Sequence, residues 1–131
     1  MGRPRVLVVD DEPLITSMLS MVLDLGLDAE VITTNSPAEA TEILRQGGIA
    51  LLLTDYLMPE QNGLHLIRAL RDQGSKIPAL LLTGYCDEPE LAANTEILSP
   101  FEVIVKPWNN EQLVGRISAL LATRANPSID A

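Results

Sequence analysis

The apolar run Ile49-Ala50-Leu51-Leu52-Leu53-Thr54, followed directly by Asp55, decides the fold of this chain. Its hydrophobic residues show no polar alternation, which is typical of a parallel strand covered on both faces. Similar runs fill four other stretches of the chain: 5–9, 29–33 (weaker), 77–82 and 103–105. Helical stretches separate these runs. The pattern therefore predicts an α/β fold, a doubly wound parallel sheet of five strands with five helices and right-handed crossovers.

The helices carry start and stop signals. Ser36-Pro37-Ala38-Glu39 is a capping box with proline at the first helical position, and Gly47-Gly48 can end that helix. Asn109 is a plausible N-cap of the last helix. The helix predicted over 87–98 has few apolar residues at helical spacing and is cut by Ser99-Pro100. In the first helix, Met18 and Met21 are predicted to lie in the core or on a helix face.

Composition limits the class of protein. A chain of 131 residues suits one domain, predicted here over 1–124, with 125–131 as a tail or the start of a linker. The net charge of −9 argues against direct contact with nucleic acid, whose phosphates need a basic surface. The single cysteine fits a reducing compartment. No signal peptide is apparent and no apolar run reaches the ~20 residues that span a bilayer, so we expect a cytoplasmic protein without membrane contact.

Polar residues follow the strands at the carboxyl edge of the predicted sheet. The acids are Asp10-Asp11 after the first run and Asp55 after the third, and Lys106 follows the last. Two unit charges ~4 Å apart repel by about 4 kcal/mol at an effective dielectric near 20, so clustered carboxylates need a counter-charge. A hard cation such as Mg²⁺ prefers oxygen ligands and would supply it. Asp11 alone could equally cap the first helix.

These motifs together resemble the receiver domain of bacterial two-component response regulators. The motifs are Val8-Val9-Asp10-Asp11-Glu12-Pro13, Asp55-Tyr56-Leu57-Met58-Pro59 with Gly63, Leu82-Thr83-Gly84 and Val105-Lys106-Pro107. The resemblance covers roughly residues 4–123. It implies a flavodoxin-like sheet with strand order 2-1-3-4-5.

The resemblance implies a phosphorylatable signalling domain rather than an enzyme. Asp55 would be the phosphoacceptor, receiving a phosphoryl group from a histidine kinase or a histidine phosphotransfer protein. Asp10, Asp11, the Asp55 carboxylate and the backbone carbonyl of Leu57 would hold Mg²⁺, with Mn²⁺ as an alternative. Thr83 would donate its hydroxyl to a phosphoryl oxygen.

Lys106 would pair with another phosphoryl oxygen, and the Lys106-Pro107 peptide is expected to be cis. Phosphorylation would switch the conformation of a face formed by the fourth helix, the fifth strand and the fifth helix. A downstream protein or output domain would bind that face, and a homodimer is left open. Intrinsic self-phosphorylation and self-dephosphorylation are part of this expectation.

The chain departs from the family at two positions. Receivers usually have an aromatic residue three positions before the lysine, where this chain has Val103, and Phe101 lies about 6.6 Å too far along the strand. Leu57 is apolar and cannot orient an attacking water, which predicts a long-lived phosphoryl group.

A phosphatase of the haloacid dehalogenase type is the alternative, because it also combines Mg²⁺ with a strand-end aspartate nucleophile, here Asp55. That class needs a second acid where this chain has Leu57. A flavodoxin-like electron carrier would need a Ser/Thr-rich phosphate loop after the first strand, and the sequence has none there.

Overall fold

The computed structural model describes residues 2–84, 93 and 97–124, and within them the chain forms five strands and four helices. The strands are β1 (Arg5–Val9), β2 (Glu30–Thr34), β3 (Leu51–Asp55), β4 (Ala79–Thr83) and β5 (Phe101–Val105). The helices are α1 (Pro13–Gly26), α2 (Pro37–Gln46), α3 (Gly63–Asp72) and α4 (Asn110–Arg124). The helix predicted over 87–98 lies mostly outside the described residues, and the tail predicted over 125–131 lies entirely outside them.

All five strands pair in parallel, in the order β2-β1-β3-β4-β5. This confirms the predicted α/β class and strand order. Strands β3 and β4 are buried along their whole length, as their unbroken apolar runs predict. Strand β2 is an edge strand and is only partly buried, which explains its weaker hydrophobic signal.

Two hydrophobic cores lie on the two faces of the sheet. One contains residues of α2 and α3 with alternate strand residues, including Leu44, Leu52, Ile67 and Leu81. The other contains residues of α1 and α4, including Leu19, Leu53 and Ile117. Each central strand contributes side chains to both cores, so its residues have no solvent-facing side on which polar residues could alternate.

The helix signals read from the sequence are largely confirmed. Ser36 caps α2, since its hydroxyl oxygen accepts a hydrogen bond from Glu39 N–H at 3.1 Å, and Gly47 follows α2 with a positive φ of 82°. Asn109 caps α4 by accepting from Gln112 N–H at 3.1 Å. The capping role considered for Asp11 is wrong, because the N-cap of α1 is Glu12, which makes no side-chain cap bond.

Arg71 joins α3 to the segment that enters β5. Its guanidinium donates to the backbone carbonyls of Leu98 at 2.7 Å, Pro100 at 2.8 Å and Ser75 at 3.2 Å. Burial lowers the pKa of Arg71 from its ordinary value. Backbone dipoles therefore solvate this charge, and the contact fixes where β5 begins.

In the described part of the chain, no helix combines the length and the apolar character that crossing a bilayer requires.

Candidate functional site

Four polar residues meet at the carboxyl edge of the sheet. Asp10 follows β1, Asp55 ends β3, Thr83 ends β4 and Lys106 follows β5. The parallel register aligns these strand ends, with Val9 opposite Thr54 in the first pair of strands. Because neighbouring parallel strands end at the same edge, residues far apart in the sequence share one site, as the sequence predicts.

Three carboxylates form an acidic cluster beside this edge. Ligand oxygens of Asp10, Asp11 and Asp55 all lie within 4.8 Å of one another. Asp10 and Asp55 are buried and Asp11 is partly buried. Like charges this close in a buried setting repel strongly, so the cluster favours a bound cation.

The two carboxylate oxygens of Asp10 differ in their hydrogen bonding. Its Oδ1 accepts a hydrogen bond from Glu12 N–H at 2.9 Å, but its buried Oδ2 has no partner among the described residues. Burial raises the pKa of the Asp10 carboxyl to about 6; the hydrogen bond from Glu12 opposes this rise, and the charge of Asp55 adds to it. A buried unsatisfied carboxylate oxygen beside two other acids fits a hard divalent cation such as Mg²⁺.

Asn35 holds the backbone that carries Asp10. Its side-chain amide donates to the Asp10 carbonyl at 2.8 Å and to Thr16 Oγ1 at 3.0 Å. The Asp10 N–H donates to the Thr34 carbonyl at 3.3 Å. Sequence reasoning missed Asn35, because its contact with Asp10 joins residues that are 25 positions apart.

Lys106 forms an ion pair with Asp55 through Nζ and Oδ1. The Lys106 N–H donates to the Thr83 carbonyl at 2.8 Å, which fixes the start of the lysine side chain beside β4. The Lys106-Pro107 peptide is cis, as predicted, and so is Ser99-Pro100, which was not predicted. In the sheet order, Lys106 follows a strand on one side of β3 and Asp10 follows the strand on its other side.

A cavity of about 360 Å³ opens next to the Asp55 carboxylate. Its lining consists of Asp55, Tyr56, Leu57, Leu82, Thr83, Gly84 and Lys106. Thr83 is buried in this wall, whereas Leu57 is exposed. A Cβ added at Gly84 would meet no atom within 4 Å, so the approach beside Thr83 is open. The cavity brings together a carboxylate, a hydroxyl and an ammonium, a set of groups that suits a phosphoryl group.

Gly63 packs directly against the backbone of Asp55. A Cβ at position 63 would lie 2.4 Å from the Asp55 carbonyl oxygen and 2.5 Å from Leu81 Cδ1. The Gly63 N–H donates to the Tyr56 carbonyl at 2.8 Å, and Thr54 Oγ1 donates to the Asp55 carbonyl at 3.0 Å. The start of α3 is therefore pressed against the residue that carries the central carboxylate.

The site lacks an aromatic residue three positions before Lys106. Val103 takes that position; it is partly buried and packs against the core that contains Phe101. Phe101 itself is buried. Val103 and Phe101 therefore both pack in the core on that face of the sheet. Neither residue lines the cavity beside Asp55.

Comparisons with known proteins agree on one family. The family model described as "Response regulator receiver domain" matches residues 6–118. The transcriptional regulatory protein CpxR homolog of Haemophilus influenzae is 34% identical over 125 residues, which are 95% of this chain and 53% of the relative. The DNA-binding response regulator MtrA of Mycolicibacterium smegmatis is 34% identical over 120 residues, covering 91% of this chain and 51% of the relative.

Solved structures agree with the fold. The Vibrio cholerae chemotaxis protein CheY4 superposes with a TM-score of 0.80 at 27% identity, covering 91% of this chain and 99% of that one. A signal receiver domain from an HD domain-containing protein of Pseudomonas fluorescens gives a TM-score of 0.85 at 20% identity, over 100% of this chain and 96% of the other, and supports the fold alone.

The chain spans about half the length of the curated relatives it matches. One of those relatives is named as DNA-binding, so the predicted absence of nucleic-acid contact does not extend to a longer protein of this kind. The haloacid-dehalogenase alternative finds no support in these matches. With its fold, its strand-end residues and a family match over most of its length, this chain belongs to the response regulator receiver domain family.

Proposed function

We propose that this domain accepts a phosphoryl group on Asp55 from a phosphohistidine of a kinase or phosphotransfer protein. The observation that carries this proposal is the setting of Asp55. Its buried carboxylate pairs with Lys106, clusters with Asp10 and Asp11, and borders a cavity that Thr83 also lines.

The transfer needs little covalent chemistry from the protein. A carboxylate oxygen of Asp55 forms the new P–O bond as the P–N bond of the donor breaks, and the imidazole nitrogen leaves with the electron pair. Phosphoryl transfer depends mainly on positioning and charge neutralisation. The ends of β3 and β4 would supply the positioning, because both strands are buried along their whole length.

Asp10, Asp11, the Asp55 carboxylate and the Leu57 carbonyl would hold Mg²⁺, or Mn²⁺ in its place. When bound, the ion neutralises negative charge on the phosphoryl oxygens. The unsatisfied Oδ2 of Asp10 supports this assignment, because a cation gives that buried oxygen the partner it lacks among the described residues.

Lys106 and Thr83 would bind the phosphoryl oxygens. The Lys106 ammonium now contacts Asp55 Oδ1 and would exchange that contact for a phosphoryl oxygen, while the Thr83 hydroxyl donates to another. Both residues lie at the ends of neighbouring strands joined by the Lys106 N–H to Thr83 carbonyl bond. Phosphorylation would thereby favour one arrangement of the β4 and β5 ends over another.

The output surface that we propose includes a groove between β5 and α4. This groove has a volume of about 670 Å³, and its lining includes Val103, Val105, Trp108 and Arg116. Val105 and Pro107, which line the groove, are the sequence neighbours of Lys106. A movement of Lys106 on phosphorylation would therefore reach the groove directly. For a longer protein containing this domain, we place any DNA contacts outside these 131 residues, since their net charge of −9 repels phosphate.

We also propose intrinsic chemistry: slow self-phosphorylation from small phosphodonors and slow hydrolysis of the acyl phosphate. Turnover of phosphate esters is not expected, because position 57 carries leucine where a phosphatase of the haloacid dehalogenase type needs an acid. Release of phosphate from a generic ester at many turnovers per chain would contradict the signalling assignment.

The decisive experiment incubates the protein with Mg²⁺ and acetyl phosphate and measures intact mass. One added phosphoryl group is expected, and it should be absent in Asp55→Asn and in the presence of EDTA. Asp72→Asn is the matched control, because Asp72 is an exposed aspartate at the end of α3 and its loss should leave the adduct intact. Persistence of the adduct in Asp55→Asn would show that another residue is the acceptor.

A further inference from the structure

Asn35 bridges the segment of chain that carries Asp10 and Asp11. We call residues 10–16 the acidic segment; it runs from the end of β1 into the first turn of α1. The Asn35 amide donates to the Asp10 carbonyl at 2.8 Å, where the segment begins, and to Thr16 Oγ1 at 3.0 Å, where it ends. One side chain that follows β2 therefore holds both ends of the acidic segment.

Hydrogen bonds within the acidic segment reinforce this bridge. The Glu12 N–H donates to Asp10 Oδ1 at 2.9 Å, and the Thr16 hydroxyl donates to the Pro13 carbonyl at 3.0 Å. The Asp10 N–H donates in turn to the Thr34 carbonyl of β2 at 3.3 Å. These contacts leave the backbone of the acidic segment few alternative arrangements.

The acidic segment offers a cation few oxygens. Oδ1 of Asp10 already accepts the bond from Glu12, and only its buried Oδ2 lacks a partner among the described residues. Asp10 can therefore supply one oxygen without losing a bond, beside the oxygens of Asp11 and Asp55. A small number of fixed oxygens suits Mg²⁺, which is octahedral and keeps several of its waters.

A fixed acidic segment should discriminate between cations by size. Mg²⁺ requires oxygens at about 2.0–2.1 Å, whereas Ca²⁺ takes about six to eight oxygens at about 2.3–2.6 Å in flexible arrangements. A larger ion would push the acidic segment away from Asp55 and would favour a second oxygen from Asp10, at the expense of the bond from Glu12. Building on the cation site of the proposed function, we propose that Asn35 is a positioning residue that makes this site favour Mg²⁺ over Ca²⁺.

Asn35 can act on the cation without supporting the packing of the domain. Its side chain is exposed and belongs to neither hydrophobic core. Loss of its amide should loosen the acidic segment while the sheet and the three carboxylates stay in place. Ca²⁺ tolerates a looser site than Mg²⁺ does, so the affinity for Ca²⁺ should fall less.

The test compares the binding of Mg²⁺ and Ca²⁺ by the native chain and by Asn35→Leu, which nearly keeps the size of the side chain and removes both donated bonds. Thermal unfolding at increasing MgCl₂ or CaCl₂, at constant ionic strength, gives each dissociation constant, because a cation that binds the folded state stabilises it. We expect the native chain to bind Mg²⁺ more tightly. In Asn35→Leu the ratio of the Ca²⁺ Kd to the Mg²⁺ Kd should fall about three- to tenfold, which is less than for a buried outer-shell partner because water reaches this exposed position.

Two further variants separate positioning from a general loss of stability. Thr16→Val removes the other end of the bridge and should lower the same ratio; it decides the question if Asn35→Leu does not unfold cooperatively. Ser36→Ala is the matched control, since it removes the cap of α2 one position from Asn35, and the Ser36 hydroxyl bonds to Glu39 rather than to the acidic segment. Ser36→Ala should lower the melting temperature and leave the ratio unchanged.

The outcomes distinguish this inference from the proposed function. If neither cation raises the melting temperature of the native chain, the cation site itself is wrong. If both cations bind the native chain but the ratio is the same in Asn35→Leu, only the role of Asn35 is overturned. Equal affinity of the native chain for the two cations, or an equal fall of the ratio in Ser36→Ala, would overturn that role as well.

Discussion

Lys106 and Asp55 form an ion pair across the sheet edge although 51 positions separate them in the sequence. The Lys106 side chain is 35% exposed and that of Asp55 only 9%. The pair is therefore intermediate between a solvent-screened contact and a fully buried one. Without the ammonium, the three clustered carboxylates would have no cationic side chain paired with them among the described residues.

Removal of this ammonium should destabilise the metal-free protein. We expect Lys106→Met to lower the free energy of unfolding by about 1–2 kcal/mol in EDTA, less than for a fully buried pair because solvent screens part of the interaction. Urea denaturation measures the change. Arg116→Met removes the cation from the more exposed pair with Glu102 and should have little effect. Equal losses of unfolding free energy in the two variants would show that Lys106 stabilises the protein no more than a surface ion pair does.

The contact between Gly63 and Asp55 predicts a steric effect. Gly63→Ala would place its Cβ 2.4 Å from the Asp55 carbonyl oxygen, a backbone atom that cannot rotate away. We expect a loss of about 1–3 kcal/mol in the free energy of unfolding, as for other overpacked sites. The acetyl phosphate adduct should also form more slowly.

Gly115→Ala is the matched control for Gly63→Ala. Gly115 lies in α4, and a Cβ there would meet no atom within 4 Å. Replacement of glycine by alanine inside a helix should stabilise the protein by about 1 kcal/mol. Opposite signs for the two variants are expected in thermal or urea denaturation, and a neutral Gly63→Ala would contradict the close packing described here.

The raised pKa of Asp10, about 6, predicts an unusual pH dependence in the absence of metal. The folded state binds this proton more tightly than the unfolded state, whose carboxyl has an ordinary pKa. Stability from this group is therefore present at low pH and is lost as the pH rises through about 6. Lowering the pH from about 7 to about 5 in EDTA should raise the free energy of unfolding by about 1 kcal/mol.

Asp10→Asn is the control for this pH effect, because it has no proton to gain. The pH-dependent difference between the native chain and Asp10→Asn isolates the Asp10 contribution from those of other groups. Saturating Mg²⁺ should raise the melting temperature of the native chain and not that of the variant. An equal Mg²⁺ effect on both would remove Asp10 from the metal site.

Leu57 predicts a long-lived phosphoryl group. Its apolar side chain stands beside the cavity and cannot position a water for attack on phosphorus. We expect Leu57→Asn to shorten the lifetime of the acyl phosphate, because an amide can hold such a water. Decay of the adduct, followed by intact mass after removal of the donor, measures this. Leu57→Met controls for the loss of leucine itself, and equal decay in all three proteins would contradict the prediction.

The central part of the fold was predictable from the sequence because its signal is local. Leu51, Leu52 and Leu53 lie in a strand buried on both faces, and such a strand needs an unbroken apolar run. The weaker signal at β2 has a physical cause, since an edge strand keeps part of its surface in solvent. The convergence of Asp10, Asp55, Thr83 and Lys106 followed from the parallel arrangement of the strands.

Other features could not be predicted because they depend on neighbours far away in the sequence. Nothing local distinguishes Asn35 from any polar residue after a strand, yet it holds the Asp10 carbonyl. The motif contains Gly63, but only the packing of α3 against the Asp55 carbonyl explains why a side chain is excluded. The sequence places Met18 and Met21 in an apolar helix, but whether they are buried depends on which face of α1 packs against the sheet. That face carries Thr16, Leu19 and Leu23, so the two methionines are exposed.

The double contact made by Asn35 has a consequence for how such a site can change. Asn35 lies outside all the strand-end motifs, yet one amide group links the peptide that carries Asp10 to the first turn of α1 through Thr16. If the acidic cluster holds a cation as we propose, substitutions at position 35 should alter the affinity for that cation while all three carboxylates stay the same. The proposed cation affinity could therefore be adjusted from the edge of the sheet, through a residue that is neither an acid of the cluster nor part of the cavity lining.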